Sequence, residues 1–143
     1  MKILIDTNIM LDFLTERELF FDGADKIMQM CKKKEIEGVI AAHSIMNAFY
    51  ILRKDFSVQD RREMLGDYMK LVTVAGIDGI SIDRALQRED FSDVEDCLQD
   101  ECALGCRADY IVTRNISDYK HSKIKAITPD EFLEMISDDR QGD

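Results

Sequence analysis

The sequence predicts an α/β domain built on a central parallel sheet of four to five strands. Short apolar runs such as "ILI" at 3–5, "GVIAA" at 38–42 and "YIVT" at 110–113 show no polar alternation, so they read as strands covered on both faces. Longer stretches between them carry apolar residues at helical spacing. The two kinds of segment alternate along the chain, as parallel strands joined by crossover helices require.

The 143 residues suit one domain with a single substantial core. No repeat, low-complexity segment or linker divides them. The domain is expected to span 1–137, with 138–143 as a frayed tail.

The first strand holds Ile3, Leu4 and Ile5 and stops at Asp6. Ile9 to Leu14 follows as a short helix. Phe20 to Lys33 is a second helix, with Ile27, Met28 and Cys31 on its apolar face and Lys32 to Lys34 at the end the helix dipole favours for cations. Gly38 to Ala42 is the second strand, leading through Ser44 into a helix marked by Ile45, Ala48, Phe49 and Leu52. A helix over 58–71, a strand over 72–75 and a short helix over 82–87 come next. Val94 to Cys106 is a further helix, Tyr110 to Thr113 the fourth strand and Ile124 to Thr128 the fifth. Pro129, the only proline, suits the first turn of a last helix reaching Ile136, with Thr128 as its cap.

Composition narrows the function. The formal charge is −10, from 29 acids against 19 bases. That is the wrong sign for a module that simply coats nucleic acid, whose affinity comes from neutralising phosphates. A metal-dependent enzyme stays open, because divalent ions bridge carboxylates to phosphates and reverse the local charge. No apolar run nears the roughly 20 residues that span a bilayer, and "MKILIDTN" turns polar too soon for a secretory signal, so a cytoplasmic protein without a membrane partner is expected. Cys31, Cys97, Cys102 and Cys106 lack paired metal-binding spacing and read as buried reduced thiols.

Carboxylates mark the candidate site. Asp6 ends a covered strand, and in parallel sheets ligands gather beyond the carboxyl ends of strands; as a residue ahead of a helix it is equally an ordinary N-cap. The stretch "EDFSDVEDCLQDE" places Asp93, Asp96 and Asp100 within an arc of roughly 60° on one helix side. Val94, Leu98, Cys102 and Gly105 should then face the sheet. Such a stripe is either a solvated face or a cation site, since like charges at this spacing repel without counterions. Glu101, nearer the apolar side, would be paired if buried, with Arg107 or Arg114 as candidates. Asn115 and Asp118 follow the fourth strand and repeat the logic of Asp6.

Taken together, "ILIDTNIMLDFL", "AAHSIMNAFYILRK", "DVEDCLQDECAL", "ADYIVTRNISDY" and "KIKAITPDEFL", in this order and spanning nearly the whole chain, resemble the PIN-domain family of metal-dependent ribonucleases, in particular the VapC-like toxins. The resemblance implies a three-layer α/β/α domain whose acids gather at one sheet edge and hold Mg²⁺ or Mn²⁺. By motif, Asp6 matches the acid ending the first strand and Asp96 the acid opening the later helix. Asn115 stands where relatives carry Asp or Asn, Asp118 is the acid that follows, and Asn8 is the polar partner of the first acid. Asn47 departs from the pattern: many relatives present an acid there, and an amide keeps an oxygen but loses a charge. Asp93, Asp100 or Asp12 are candidates to compensate.

On this reading Asp6, Asp96 and Asp118 are metal ligands, Asn115 and Asn47 neutral supports, and a metal-activated water the nucleophile. Hard oxygen donors suit Mg²⁺ or Mn²⁺ rather than zinc. Arg114, Lys120, His121, Lys123 and Lys125 form a basic cluster beside the later acids, with Arg114, Lys120 and Lys123 expected to meet substrate phosphate. His43 and His121 are expected at the surface or behind the ligands. The resemblance also implies an RNA substrate, an antitoxin partner and a homodimer. Two other readings stay open: a silent PIN-like protein- or RNA-binding module, favoured by Asn47, and a haloacid-dehalogenase-like phosphatase, disfavoured because Asn8 stands where such enzymes want a second Asp.

Overall fold

Ile3, Leu4 and Ile5 are completely buried, and they alternate between two separate cores. In the computed structural model, which describes residues 1–141, strand β1 (Lys2–Ile5) is the middle of a five-stranded, wholly parallel sheet. The other strands are β2 (Glu37–Ala41), β3 (Thr73–Ala75), β4 (Tyr110–Val112) and β5 (Ala126–Ile127), in the order β3-β2-β1-β4-β5. Ile3 and Ile5 join Ile40 and Val112 on one face; Leu4 joins Val39, Ala41 and Ile111 on the other. A strand covered twice has no polar side, which is why its sequence shows no alternation.

Helices close both faces and make the expected three layers. Over the first face lie α1 (Thr7–Leu14), α2 (Phe21–Lys32), α3 (Ala42–Ile51), α4 (Val58–Met69) and α7 (Pro129–Gln141), contributing Ile9, Ala24, Ile27, Ala48, Leu65 and Phe132 to its core. Over the second lies α6 (Val94–Cys106), which contributes Cys102 and Ala103, with α5 (Gly79–Gln87) packed against it. Each fully buried Leu, Ile or Phe is worth about 1.5–3 kcal/mol. Gly38 is required by packing: a Cβ there would lie 2.7 Å from Cys31 Sγ and 2.9 Å from Ile5 Cδ1, so any side chain would push α2 off the sheet.

Element boundaries differ from expectation in ways the contacts explain. Helix α1 starts at Thr7, directly on its cap Asp6. Helix α3 starts earlier than expected and takes in His43 and the buried Ser44, and it tightens into a 3₁₀ turn over Leu52–Lys54. The tail expected at 138–143 is helical through Gln141, because no proline or glycine interrupts α7 and Arg140 bonds Glu35 at 2.6 Å; 142–143 lie outside the described residues. Cys31, Cys97 and Cys102 are buried and Cys106 half-buried, all as free thiols. Among the described residues no helix is long and apolar enough to cross a membrane.

Candidate metal and phosphodiester site

The chain runs from β1 outward to β2 and β3, then returns to the opposite side of β1 for β4 and β5. Loops leaving β1 and β4 therefore diverge, and the crevice between diverging loops at the carboxyl ends of neighbouring strands is where open α/β sheets bind ligands. Asp6 follows β1; Thr113, Asn115 and Asp118 follow β4. Topology alone puts these groups at one place.

Asp6 is the most constrained of them. It is 8% exposed, caps α1 through Thr7 N–H to Oδ1 at 2.7 Å, and accepts at Oδ2 from Thr113 Oγ1 at 2.8 Å and Tyr119 OH at 3.1 Å. Asn8 Nδ2 stands 3.4 Å from the same oxygen. The cap and the site are thus the same carboxylate. Burial pushes its pKa up and these donors pull it back, with the charge of Asp118 adding to the rise. Tyr119, on the 3₁₀ turn Ile116–Tyr119, has its phenol pushed far up by burial and by the charges of Asp6 and Asp96, so it stays a donor.

Asp96 is the centre of the electrostatics. Partial burial first, then the charges of Asp93, Asp118, Asp6 and Glu95, push its pKa up to about 7. Carboxylates following β1, on α6 and in the turn after β4 all contribute to that rise, so Asp6, Asp96 and Asp118 are electrostatically coupled. Asp93 is the N-cap of α6, its Oδ1 accepting from Glu95 N–H at 2.8 Å and Asp96 N–H at 3.2 Å, so it orients the first turn.

Asn47 and Glu95 form a pair that sequence reasoning missed. The Asn47 side chain hydrogen-bonds the Glu95 carboxylate, whose pKa burial and the charges of Asp93 and Asp6 still raise. A carboxylate on α6 therefore stands beside the Asn47 amide on α3. Only the adjacency of two acids in "VEDC" hinted at it, since one of them must face away from the stripe.

Asp100 does not join the site, a correction to the expected stripe. It is fully buried one turn further along α6, where Arg88 Nη2 lies 2.8 Å from Oδ2 and Ser122 Oγ bonds Oδ1. The buried face of α6 carries Cys97, Gln99, Asp100, Glu101, Cys102 and Ala103, whereas Val94 and Gly105, expected inward, are exposed. Glu101 is paired, but with Arg84 at 2.9 Å and Arg88 at 3.0 Å instead of Arg107 or Arg114. Arg114 instead binds Asp12, at 2.7 Å through Nε and 3.3 Å through Nη2, so Asp12 is committed to that pair. Lys120 is exposed at the end of the 3₁₀ turn, and Lys123 and His121 line a hollow shared with Arg84, Arg88 and Glu101. His43 is half-buried on α3, with both ring nitrogens shielded and unpartnered and its pKa lowered by burial.

Behind the carboxylates lies a dry polar brace. Gln99 Nε2 donates to Ser44 Oγ at 2.7 Å and to Thr7 Oγ1 at 3.3 Å, and Thr7 Oγ1 donates to Ser44 at 2.8 Å. It ties α6, α1 and α3 together within three residues of Asp96, Asp6 and Asn47. Its members, like Thr113 and Tyr119, are invisible to a search for charged motifs.

Chemically the donors are hard oxygens in a half-buried, anionic crevice, which suits a divalent ion of the Mg²⁺ or Mn²⁺ kind. Among the described residues no group of three or more carboxylate, imidazole or thiol side chains is placed so that it could hold a metal ion by itself. The crowding without a neighbouring cation is that of a site an ion would relieve, held partly through water as Mg²⁺ commonly is.

A PIN-domain family model matches residues 2–117. No curated protein matches the sequence at a significant level. Among solved structures, a chain of VapBC2 from Rickettsia felis, bound to a DNA fragment from its promoter, aligns with a TM-score of 0.67 and 14% identity over 90% of this chain and 98% of that one. A chain of a toxin-antitoxin complex from Klebsiella pneumoniae aligns at 0.64 and 20% identity, covering 88% and 96%, and one of VapBC-1 from nontypeable Haemophilus influenzae at 0.65 and 12%, covering 91% and 99%. PIN domains are in general divalent-metal-dependent nucleases. With the family model spanning most of its length and the sheet in the order β3-β2-β1-β4-β5, this chain belongs to the PIN-domain family.

Proposed function

We propose that the protein is a Mg²⁺- or Mn²⁺-dependent endoribonuclease, the toxin of a toxin-antitoxin pair. The observation that carries the reading is the buried Asp6 carboxylate, fixed by Thr113 and Tyr119 at the β1–β4 switch point, to which Asp96 and Asp118 are electrostatically coupled. When bound, the ion supplies a water acidic enough to attack a phosphodiester and charge to stabilise the leaving oxygen. Asp6, Asp96 and Asp118 hold it, with Asn115 as a neutral support. Glu95, held by Asn47, provides the further carboxylate, which answers the charge missing at position 47. Thr113, Tyr119 and Asn8 fix the Asp6 carboxylate so that one orientation faces the crevice.

Similarity to chains of VapBC complexes supports an antitoxin partner. Exposed Met46, Tyr50 and Leu86 offer apolar surface for a homodimer, and the composition suits the cytoplasm. Incubating purified protein with structured and single-stranded RNAs in Mg²⁺, Mn²⁺ or chelator, beside Asp6→Asn and Asp96→Ala, tests the core of the proposal. Cleavage is expected only with metal and only in the unsubstituted protein. Chelator-resistant cleavage would remove the metal assignment, and release of phosphate from small esters without RNA cleavage would favour the phosphatase reading.

A further inference from the structure

Beside the carboxylates, on the same edge of the sheet, a hollow of about 310 Å³ lies between the α1–α2 loop, the end of β4 and the start of α7. Its volume is within the range of small-ligand sites. Leu19, Phe20 and Pro129 supply apolar wall; Arg114, Asn115 and Thr128 supply polar wall. Leu19 is 90% exposed and sits at φ 78°, a left-handed conformation that a bulky side chain adopts only at a cost.

Arg114 is the unusual member. Its guanidinium is clamped edge-on by the two oxygens of Asp12, which is 1% exposed, and lies 4.3 Å from the centroid of the Phe20 ring. One buried carboxylate already matches its charge, so little is left for a phosphate. What the hollow receives is a flat, immobilised, delocalised plane, and such planes stack nucleobases. The neighbouring Asn115 is exposed, with its backbone N–H held by Thr113 Oγ1 at 3.0 Å, and its amide can both donate to and accept from a base edge. Arg114 links the hollow to Asp6 through Asn8, which accepts from Arg114 N–H at Oδ1 at 3.5 Å and donates from Nδ2 to Asp6 Oδ2 at 3.4 Å.

We infer that this hollow is a nucleobase subsite, taking one unstacked base of a single-stranded RNA beside the phosphate held at Asp6, Asp96 and Asp118, with the base stacked on the Arg114 plane against Leu19. The inference rests on the ribonuclease reading. A strand laid across the carboxylates places its next nucleotide at this wall, and contiguity with the acids is what favours a base over a peptide side chain.

The test is steady-state cleavage with Mn²⁺ of an RNA and of the same RNA carrying abasic ribose on either side of the cut, by the unsubstituted protein, Arg114→Lys and Leu19→Ser. Arg114→Lys keeps the cation and its pairing with Asp12 but loses the plane. A stacking role predicts a KM raised about 10-fold with kcat within about 3-fold, the scale of one lost base stack. Leu19→Ser, at a position too exposed to affect folding, should raise KM about 10-fold, the low end of the scale for a lost apolar contact in a pocket. On the abasic RNA both variants should match the unsubstituted protein. Unchanged KM on intact RNA in both variants would overturn the subsite while leaving the nuclease reading intact, and would assign the hollow to a protein segment. No RNA cleavage by the unsubstituted protein in any metal would sink the nuclease reading and the subsite with it.

Discussion

Thr113 Oγ1 donates to Asp6 Oδ2 at 2.8 Å, linking the ends of β4 and β1 across 107 residues of sequence. Both residues are buried, so the bond is not exchanged for water. Thr113→Val keeps the shape and deletes the donor, leaving Tyr119 and Asn8 to hold Oδ2. A loss of about 1–2 kcal/mol in urea unfolding is expected. RNA cleavage should fall further than stability does, because the carboxylate gains freedom to turn. Retained cleavage at the unsubstituted rate would deny the orienting role.

The raised pKa of Asp96 has a definite sign. A carboxyl that holds its proton to about pH 7 when folded and only to about 4 when unfolded favours folding most at low pH, and that stability is lost as pH rises from about 4 through 7. Asp96→Asn removes the dependence. In metal-free buffer the melting temperature of the variant minus that of the unsubstituted protein should therefore grow between pH 4 and pH 8. A difference that stays flat would contradict the crowding of acids around this group.

Asn47 and Glu95 offer a direct test of how the missing acid is replaced. Glu95→Gln should lower cleavage at least about 10-fold, within the range found when groups supporting a bound metal are removed, while slightly raising metal-free stability. Asn47→Asp sets a second carboxylate against Glu95, so it should melt lower without metal and gain more than the unsubstituted protein does from Mn²⁺. Thermal shift with and without the ion measures both.

Arg88 stands between three carboxylates, Asp90 at 2.7 Å, Asp100 at 2.8 Å and Glu101 at 3.0 Å, two of them buried. Arg88→Met strands Asp100 without its cation and leaves Glu101 with Arg84 alone. The expected loss is about 3–5 kcal/mol at neutral pH, the usual consequence of breaking a buried pair. Chemical unfolding should show it, and a loss below about 1 kcal/mol would mean that water reaches these groups.

The brace behind the site separates support from chemistry. Gln99→Ala opens a cavity under Asp96 and removes the donor to Ser44, so about 3 kcal/mol should be lost in unfolding measurements. Gln99→Leu fills the space without the amide and should recover most of the stability. If it also recovers all of the cleavage, the brace acts through packing alone.

Sheet and layers were readable because a doubly covered strand writes itself as an unbroken apolar run, as in Ile3 to Ile5. Asp6 stood out because it follows an unbroken apolar strand, and Asp96 because it opens an acid-rich helix. Asp100 was misplaced because angular position on a helix says nothing of position along its axis, and one turn carried it from the crevice to Arg88. Thr113, Tyr119 and Gln99 passed unnoticed because a hydroxyl or amide next to an apolar strand carries no signal until a distant partner is known. Arg114 was assigned to phosphate from its charge, and only the fold reveals that Asp12 already holds that charge.

The strand order β3-β2-β1-β4-β5 also governs when the crevice at the end of β1 can assemble. Asp6 leaves the ribosome 107 residues ahead of Thr113, whose hydroxyl fixes its Oδ2, and Tyr119 follows later still. A growing chain therefore carries isolated acids and no assembled centre. The surroundings of Asp6 are complete only once translation has passed the fourth strand and the turn that follows it.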